Sequence, residues 1–421
     1  KFLKRNTIMI TNYFKTAWRS LWKNKVTSAI NITGLSVGMT AAVLIFLWVQ
    51  NEMSFDNYHK DADLIYRATT NLKENNWIWE TSPLLLADAV KKEVPEIENT
   101  ARLYDGNWPV FNISNNLTYE KKCAYVDDSW FNIFQYTFIE GNALAFTQDV
   151  NSIILTATEA KKYFGNQNAL GTTIRVDSMN LVVKGIIKDA PPNSSFQYNA
   201  FIPLKNLLKD SERRSNDEQW QNANYITFVK IKPGSNAAVV SGKLTDVFTK
   251  NSGDKETTIS LVGLKSMHFE TEIQNSVFVH GNTKTVYIFI ILALLLLLIA
   301  CINYVNLTTA KASLRAKEVS VRKMAGAKRI NLFCQFVAES LLISLISLIV
   351  TLGLVNFCLP LFNSVTGKNF ELPLTSLSMW RVIGITLSAA LLLNSIYPAL
   401  VLSSFKPLNV FRGLTVLKVK D

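Results

Sequence analysis

Two long apolar runs flank a polar segment of 235 residues, and that arrangement restricts the chain to a membrane protein carrying a large domain outside the bilayer. Residues 286–305 are apolar apart from Asn303, and 14 of these 20 are Leu, Ile, Val or Phe. At roughly 0.3–0.6 kcal/mol each, they favour insertion by several kcal/mol, more than one Asn cancels. A helix of about 20 residues also matches the hydrocarbon thickness. The other flanking run occupies 29–50. Two further runs, Leu341–Leu359 within 336–362 and Val382–Leu402, complete an expectation of four spans with both termini on one side. The first run follows a basic leader, as a secretory signal would. Its apolar part is too long for one, and no small-x-small cleavage site precedes Asn51, so it reads as a retained anchor.

Charge orients the spans. Residues 1–25 hold seven Lys or Arg and no acid, and 306–335 hold seven against the single Glu318. Basic residues concentrate on the cytoplasmic side, which assigns both segments and the tail 403–421 to the cytoplasm. The segment 51–285 holds 24 basic and 28 acidic residues and belongs outside. Lys368 and Arg381, in the short outer loop 363–381, are too few to reverse this. The formal net charge of +12 is therefore explained by topology and anionic lipid headgroups rather than by nucleic acid.

In the leader, 1–28, Ile10, Phe14, Ala17, Trp18 and Leu21 share one helical face and Lys15, Arg19 and Lys23 another. This predicts an amphipathic helix in the inner headgroup region. Met9 is a candidate natural start. Gly34, Gly38 and Ala42 recur at four-residue intervals in the first span, either as a seam where another helix approaches closely or as tolerated small residues. Cys123, Cys301, Cys334 and Cys358 fit small apolar residues better than a disulfide scaffold.

The segment 51–285 has globular composition and room for a proper core. Leu64–Thr69 and Tyr225–Ile231 read as strands, each followed by a helix and another strand. The first helix is expected to start at Ser82-Pro83 as N-cap and first position, run to Glu93 and precede a strand at Thr100–Tyr104. The second starts near Ser235 and precedes Thr257–Val262. These two units, about 60–114 and 216–268, bracket an insert, about 115–215, with strands Ile153–Thr156, Thr173–Val176 and Leu181–Ile187 and a helix Ala160–Phe164 closed by Gly165. The expected fold is an α-helical membrane protein with four transmembrane helices and a mixed α+β domain.

No catalytic pattern emerges. His59, His268 and His280 lack metal-ligand spacing and read as ordinary surface or core residues. Gly242-Lys243 and Gly367-Lys368 lack the flanking residues of a phosphate-binding loop, so no ATPase is expected in the chain itself. Asp127-Asp128 and the charges from Ser211 to Glu218 read as solvated loops.

The segment 306–335 is the most distinctive stretch. It continues the second span as a basic helix with Glu318 and Arg322 at i and i+4, and Gly326 breaks it. The run Arg315-x-Lys317-Glu318-Val319-x-Val321-Arg322-Lys323-x-x-Gly326-Ala327, followed by Gln335-Phe336-x-x-Glu339-Ser340, resembles the signature of FtsX-like, MacB-type permeases of ABC transporters. Trp130-Phe131-x-x-Phe134, Glu140-Gly141, Thr158-x-Ala160-x-x-Tyr163-Phe164-Gly165, Leu170-Gly171 and Val183-x-Gly185-Ile186-x-x-Asp189-x-Pro191 resemble that family's periplasmic domain. Ser403-x-Phe405-x-Pro407 with Arg412-Gly413 is similar too.

The resemblance implies a non-catalytic permease in a bacterial inner membrane, paired with a separate cytoplasmic ABC ATPase that holds ATP and Mg. Motion, rather than a substrate tunnel, would cross the bilayer. The bracketing strand-helix-strand units would be the porter, and the helix between spans two and three would meet the ATPase, making Arg315, Lys317, Glu318, Arg322 and Lys323 coupling residues. The chain is most similar to the first half of duplicated Bacteroidota permeases, so its partner half would be a second copy or a pseudodimer mate within a longer chain. A periplasmic adaptor or outer-membrane partner remains open. Two other classes stay in view: a transmembrane regulator of a periplasmic hydrolase, and a ligand-sensing receptor.

Overall fold

The computed structural model describes residues 14–106, 108–113, 116–310, 319–368, 370 and 377–404. It divides into a helical unit, Lys1–Gln50 with Lys284–Asp421, and an α/β unit, Asn51–Thr283.

The α/β unit is built around four strands in the order Thr257–Gly263, Ile65–Leu72, Ile226–Ile231, Ile97–Tyr104, every neighbouring pair antiparallel. The first and second strand-helix-strand units are therefore interleaved, each placing one strand between the two of the other, as in a ferredoxin-like split arrangement. Side chains alternate across the sheet. Ile226 and Phe228 join one core, whereas Val229 and Ile231 join another on the opposite face. The second face is covered by helices Leu86–Glu93 and Ala237–Ser252. The latter buries Val240, Leu244, Val247 and Phe248, a spacing that lays one apolar stripe on the strands.

The sheet continues from Ile97–Tyr104 through Cys123–Val126, Ala200–Pro203, Ser152–Thr156, Met179–Ile187, Thr173–Val176, Val110–Ile113 and Asn116–Tyr119. Its residues enclose a further core around Tyr125, Ile153, Val183 and Ile202. Val110–Ile113 pairs with Thr173–Val176, so this strand sits with the insert although its sequence position falls before residue 115. The Trp130 and Phe134 rings meet at a tilt, centroids 4.2 Å apart, and are packed among Phe196 and Phe228. Burying aromatics and aliphatics of this size contributes roughly 1.5–3 kcal/mol per side chain. Gly141 lies opposite Gly185 at φ +70°, where a Cβ would collide with the Lys184 carbonyl oxygen. Backbone approach this close explains the glycine.

One local expectation fails. The first helix begins at Leu86, and Ser82 is not its N-cap. Ser82 instead exchanges backbone hydrogen bonds with Tyr225 at 2.6 and 3.1 Å, and its Oγ bonds Thr227 Oγ1 at 2.8 Å. A partner 143 residues away thus takes the polar groups a helix start would have used. The second helix is capped as its composition suggests, one residue on, by Asn236 accepting from Ala238 N at 2.9 Å.

In the helical unit, residues 14–23 form a helix that a turn at Asn24 separates from Lys25–Met53. The remaining helices are Thr283–Ala310, Arg329–Thr366 and Leu377–Ser404. Among the described residues, Lys25–Met53, Thr283–Ala310 and Arg329–Thr366 are long and apolar enough to cross a membrane. The fourth expected span falls in Leu377–Ser404, whose apolar portion within the described residues, Trp380–Ser395, is shorter.

Candidate functional site

The small residues of the first membrane helix lie against the second. A Cβ on Gly38 would stand 2.5 Å from Ala300 Cβ, and one on Gly34 would stand 3.2 Å from Asn303 Nδ2. Ala42 is fully buried in the same cluster as Leu35, Met39, Ala293 and Leu297. The first helix meets the third through hydroxyls: Ser36 Oγ donates to the Ser347 carbonyl at 3.1 Å, and Thr351 Oγ1 donates to the Ser36 carbonyl at 3.3 Å. Lipid offers no hydrophobic drive between helices, so close packing and such bonds hold them together.

A second set of bonds gathers around the start of the third membrane helix. Ser20 in the leader helix donates to Glu339 Oε1 at 3.0 Å. Tyr304 of the second membrane helix shares a 3.0 Å hydrogen bond with Ser340, and Ser340 Oγ approaches the Asn394 carbonyl of the fourth helix at 3.5 Å. One turn earlier, Gln335 Oε1 accepts from the Arg322 guanidinium. Gln335 and Glu339 fall one turn apart on one helix face, and Ser340, the next residue, points to the adjoining face. Through them the leader, the second and fourth helices and the basic segment are joined to one helix. Glu339 and Ser340 are buried, and Leu21 packs with Tyr304 and Ile343 beside them.

Of the coupling residues named from the sequence, Arg315, Lys317 and Glu318 lie outside the described residues. Residues 319–324 are helical, Gly326 adopts φ +93°, and the next helix begins at Arg329. Lys323 is partly buried, and desolvation together with the nearby Arg329 charge lowers its pKa. Trp18 and Trp22 in the leader are about half exposed, while Ala17 and Leu21 are buried. Sequence reasoning misses Ser20, Tyr304 and Asn394. The one signal pointing to them is Glu339, an acid at the start of an apolar run.

In the α/β unit the charges form closed groups. Arg67, fully buried, bonds Glu80 at 3.1 Å and Glu270 at 2.8 Å, and Glu80 further accepts from Ser276 Oγ at 2.7 Å and Val277 N at 2.5 Å. Asp127 accepts from Arg102 Nε at 2.7 Å, so this loop acid is engaged. His59 Nδ1 accepts from Gln135 N at 3.0 Å, and burial lowers its pKa to about 4. Asp56 accepts from Ser195 N at 2.8 Å and Ser195 Oγ at 2.6 Å, yet burial raises its pKa to about 6. Among the described residues no group of His, Cys, Asp and Glu has the arrangement of a metal site.

Residues 28–247 match the MacB-like periplasmic core domain, and residues 290–407 match the FtsX-like permease C-terminal domain. The chain belongs to the MacB-type, FtsX-like family of ABC transporter permeases. Its apolar helices and its periplasmic core domain fit an inner-membrane protein with a periplasmic α/β unit. The permease is similar to macrolide export ATP-binding/permease proteins MacB. It is 23% identical to that of Salmonella paratyphi A over 352 residues, 78% of this chain and 50% of the relative. It is 24% identical to that of Escherichia coli O6:K15:H31 over 372 residues, 82% of this chain and 53% of the relative. The chain thus spans about half the length of these relatives. Among solved structures, a permease domain from Porphyromonas gingivalis aligns with 49% of the chain at 19% identity and a TM-score of 0.42, covering 91% of that domain. The periplasmic region of MacB from Actinobacillus actinomycetemcomitans aligns with 50% of the chain at 15% identity and a TM-score of 0.37, covering 94% of that region.

Proposed function

We propose that the chain is the permease subunit of a mechanotransmission-type ABC transporter, in which a separate cytoplasmic ATPase, carrying ATP and Mg, drives movement of the periplasmic unit for export. The supporting observation is the set of side-chain bonds at Gln335, Glu339 and Ser340, which ties the basic segment to the leader and to the second and fourth helices. A push on Arg322 or Lys323 then reaches several membrane helices through side-chain bonds. Four spans, an Asn51–Thr283 segment outside and a second permease half complete the reading. The macrolide export for which the MacB relatives are named supports export as the outcome, and no feature selects a cargo.

The coupling role is tested by reversing the charges of Glu318 and Arg322 in the full chain co-expressed with the ATPase that co-purifies with it. ATP-dependent function should be lost while the chain still fractionates with membranes. Normal ATP-dependent function in the double variant removes the coupling assignment. Recovery of a periplasmic hydrolase instead of an export partner favours the regulator class. Labelling from the periplasmic side should reach a cysteine at Asn180 and miss one at Lys323. The opposite pattern inverts the topology.

A further inference from the structure

The chain passes between its two units twice, at Gln50–Asn51 and at Thr283–Lys284. Inside the α/β unit, Glu52 beside the first crossing and Gly281 beside the second are each bonded to His268. Glu52 and His268 are almost fully buried and meet at 2.9 Å between Oε2 and Nε2. Phe55 lies flat on the His268 ring, centroids 3.5 Å apart and planes within 5°. His268 Nδ1 bonds the Val279 carbonyl at 3.1 Å, and the His268 carbonyl accepts from Gly281 N at 2.7 Å. A carbonyl only accepts, so Nδ1 carries a proton; a carboxylate oxygen also accepts, so the Nε2–Oε2 contact is a hydrogen bond that holds a second proton between ring and carboxyl. Gly281 fills the remaining space: a Cβ there would lie 2.5 Å from His268 Nε2 and 2.8 Å from Glu52 Oε2. The segment after Glu52 is pinned again, by Asn193 Nδ2 on the Ser54 carbonyl at 2.9 Å and by Ser195 on Asp56.

We infer that Glu52, Phe55, His268 and Gly281 form a rigid clamp through which the two crossings move the periplasmic unit as one body. These are positioning residues, and the inference rests on the proposed coupling to an ATPase. A loose joint would let one crossing shift while the other stayed, and displacement would be lost within the connecting segments. Burial, ring stacking and a hydrogen bond on each ring nitrogen leave His268 no second arrangement in the available space.

The test uses the full chain with its co-purified ATPase in lipid nanodiscs and a fluorophore on a cysteine at the exposed Ser178. Glu52→Ala and Gly281→Ala should continue to hydrolyse ATP but lose the ATP-dependent fluorescence change. Glu52→Gln, which keeps an acceptor for His268, should retain it. Hydrogen exchange reads the clamp independently: the Gly281 amide should exchange about tenfold faster or more in Glu52→Ala, while the Phe228 amide in the sheet stays protected. Unchanged exchange at Gly281 in Glu52→Ala overturns the clamp. Faster exchange with a wild-type fluorescence change overturns its mechanical role. Failure of the coupling reading shows separately, as charge reversal at Glu318 and Arg322 leaving the wild-type response intact. If Glu52→Ala exposes Phe228, Gly281→Ala decides by the same two readings.

Discussion

The two units bury polar groups by different means. The periplasmic unit buries full charges and closes them in networks, as with Arg67, Glu80 and Glu270. The helical unit buries mostly hydroxyls and small residues, as with Ser36, Ser347, Thr351 and Gly38, beside a few amides such as Asn31 and Asn394 and the single acid Glu339 among its described residues. The difference follows from the alternative environment of each group. A charge in the periplasmic unit must be matched against water, whereas a hydroxyl in lipid is compared with an unfolded helix that still finds partners. Rigidity therefore comes from ion networks on one side and from shape on the other.

The contrast breaks first at Arg67. Arg67→Met leaves the buried Glu80 and the partly exposed Glu270 without their cation and should cost about 3–5 kcal/mol in the periplasmic unit. Replacing Arg67, Glu80 and Glu270 together by apolar residues of similar volume should cost less, because no uncompensated charge remains. Urea unfolding of the full chain followed by limited proteolysis measures both. A single variant as stable as wild type would mean the network contributes shape only.

Acid sharpens the comparison next. Burial raises the Asp56 carboxyl from 3.8 to about 6, so its contribution to stability grows as pH falls from about 6 to 3.8. Burial lowers His59 from 6.5 to about 4, so its contribution is complete above 6.5 and is lost as pH falls towards 4. The opposing slopes, each up to about 1.4 kcal/mol per pH unit, overlap between about 4 and 6 and offset one another. Asp56→Asn removes one slope, and the variant should lose up to about 3 kcal/mol relative to wild type between pH 6 and 4. His59→Phe should show the reverse sign. Parallel pH profiles for wild type and both variants would refute this balance.

In the helical unit the largest effect is expected at the seam. Gly38→Leu must push the second helix away from Ala300 and should cost about 1–3 kcal/mol, the range for overpacking, read as a lower midpoint in detergent unfolding. A Cβ on Gly353 would meet nothing within 4 Å, and Gly353→Leu should be neutral.

Much of this architecture is written in periodicity and charge. Val240, Leu244 and Val247 announce their helix, though Val239 beside them is left exposed, and alternation around Ile226–Ile231 announces its strand, because local spacing decides which face is buried. The interleaving of the four strands is not legible, since antiparallel pairing of Ile65–Leu72 with Ile226–Ile231 depends on partners far along the chain. Ser82 misleads for the same reason. The coupling segment is readable as basic charge and a resembling motif, but Glu339 bonding Ser20 and Glu52 bonding His268 join residues distant in sequence. Neither pair has a spacing rule. His268 looks ordinary until Phe55 and Gly281 are seen to enclose it.

The smallest expected effects compare one hydroxyl in each unit. Ser82→Ala strips a buried Oγ from Thr227 and the Tyr225 carbonyl in the periplasmic unit and should cost about 1 kcal/mol, since Thr227 is left without that partner in a site water does not reach. Ser340→Ala removes the partner of Tyr304 in the helical unit and should cost about 0.6 kcal/mol, the average for hydroxyl bonds between membrane helices. Pairing each with removal of its partner, Thr227→Val and Tyr304→Phe, isolates the bond itself. A larger coupling energy for Ser340 with Tyr304 than for Ser82 with Thr227 would reverse the contrast. Polar bonds near the basic segment, rather than packing, would then supply the stiffness, and transmission from Arg322 would depend on hydroxyls more than on helix shape.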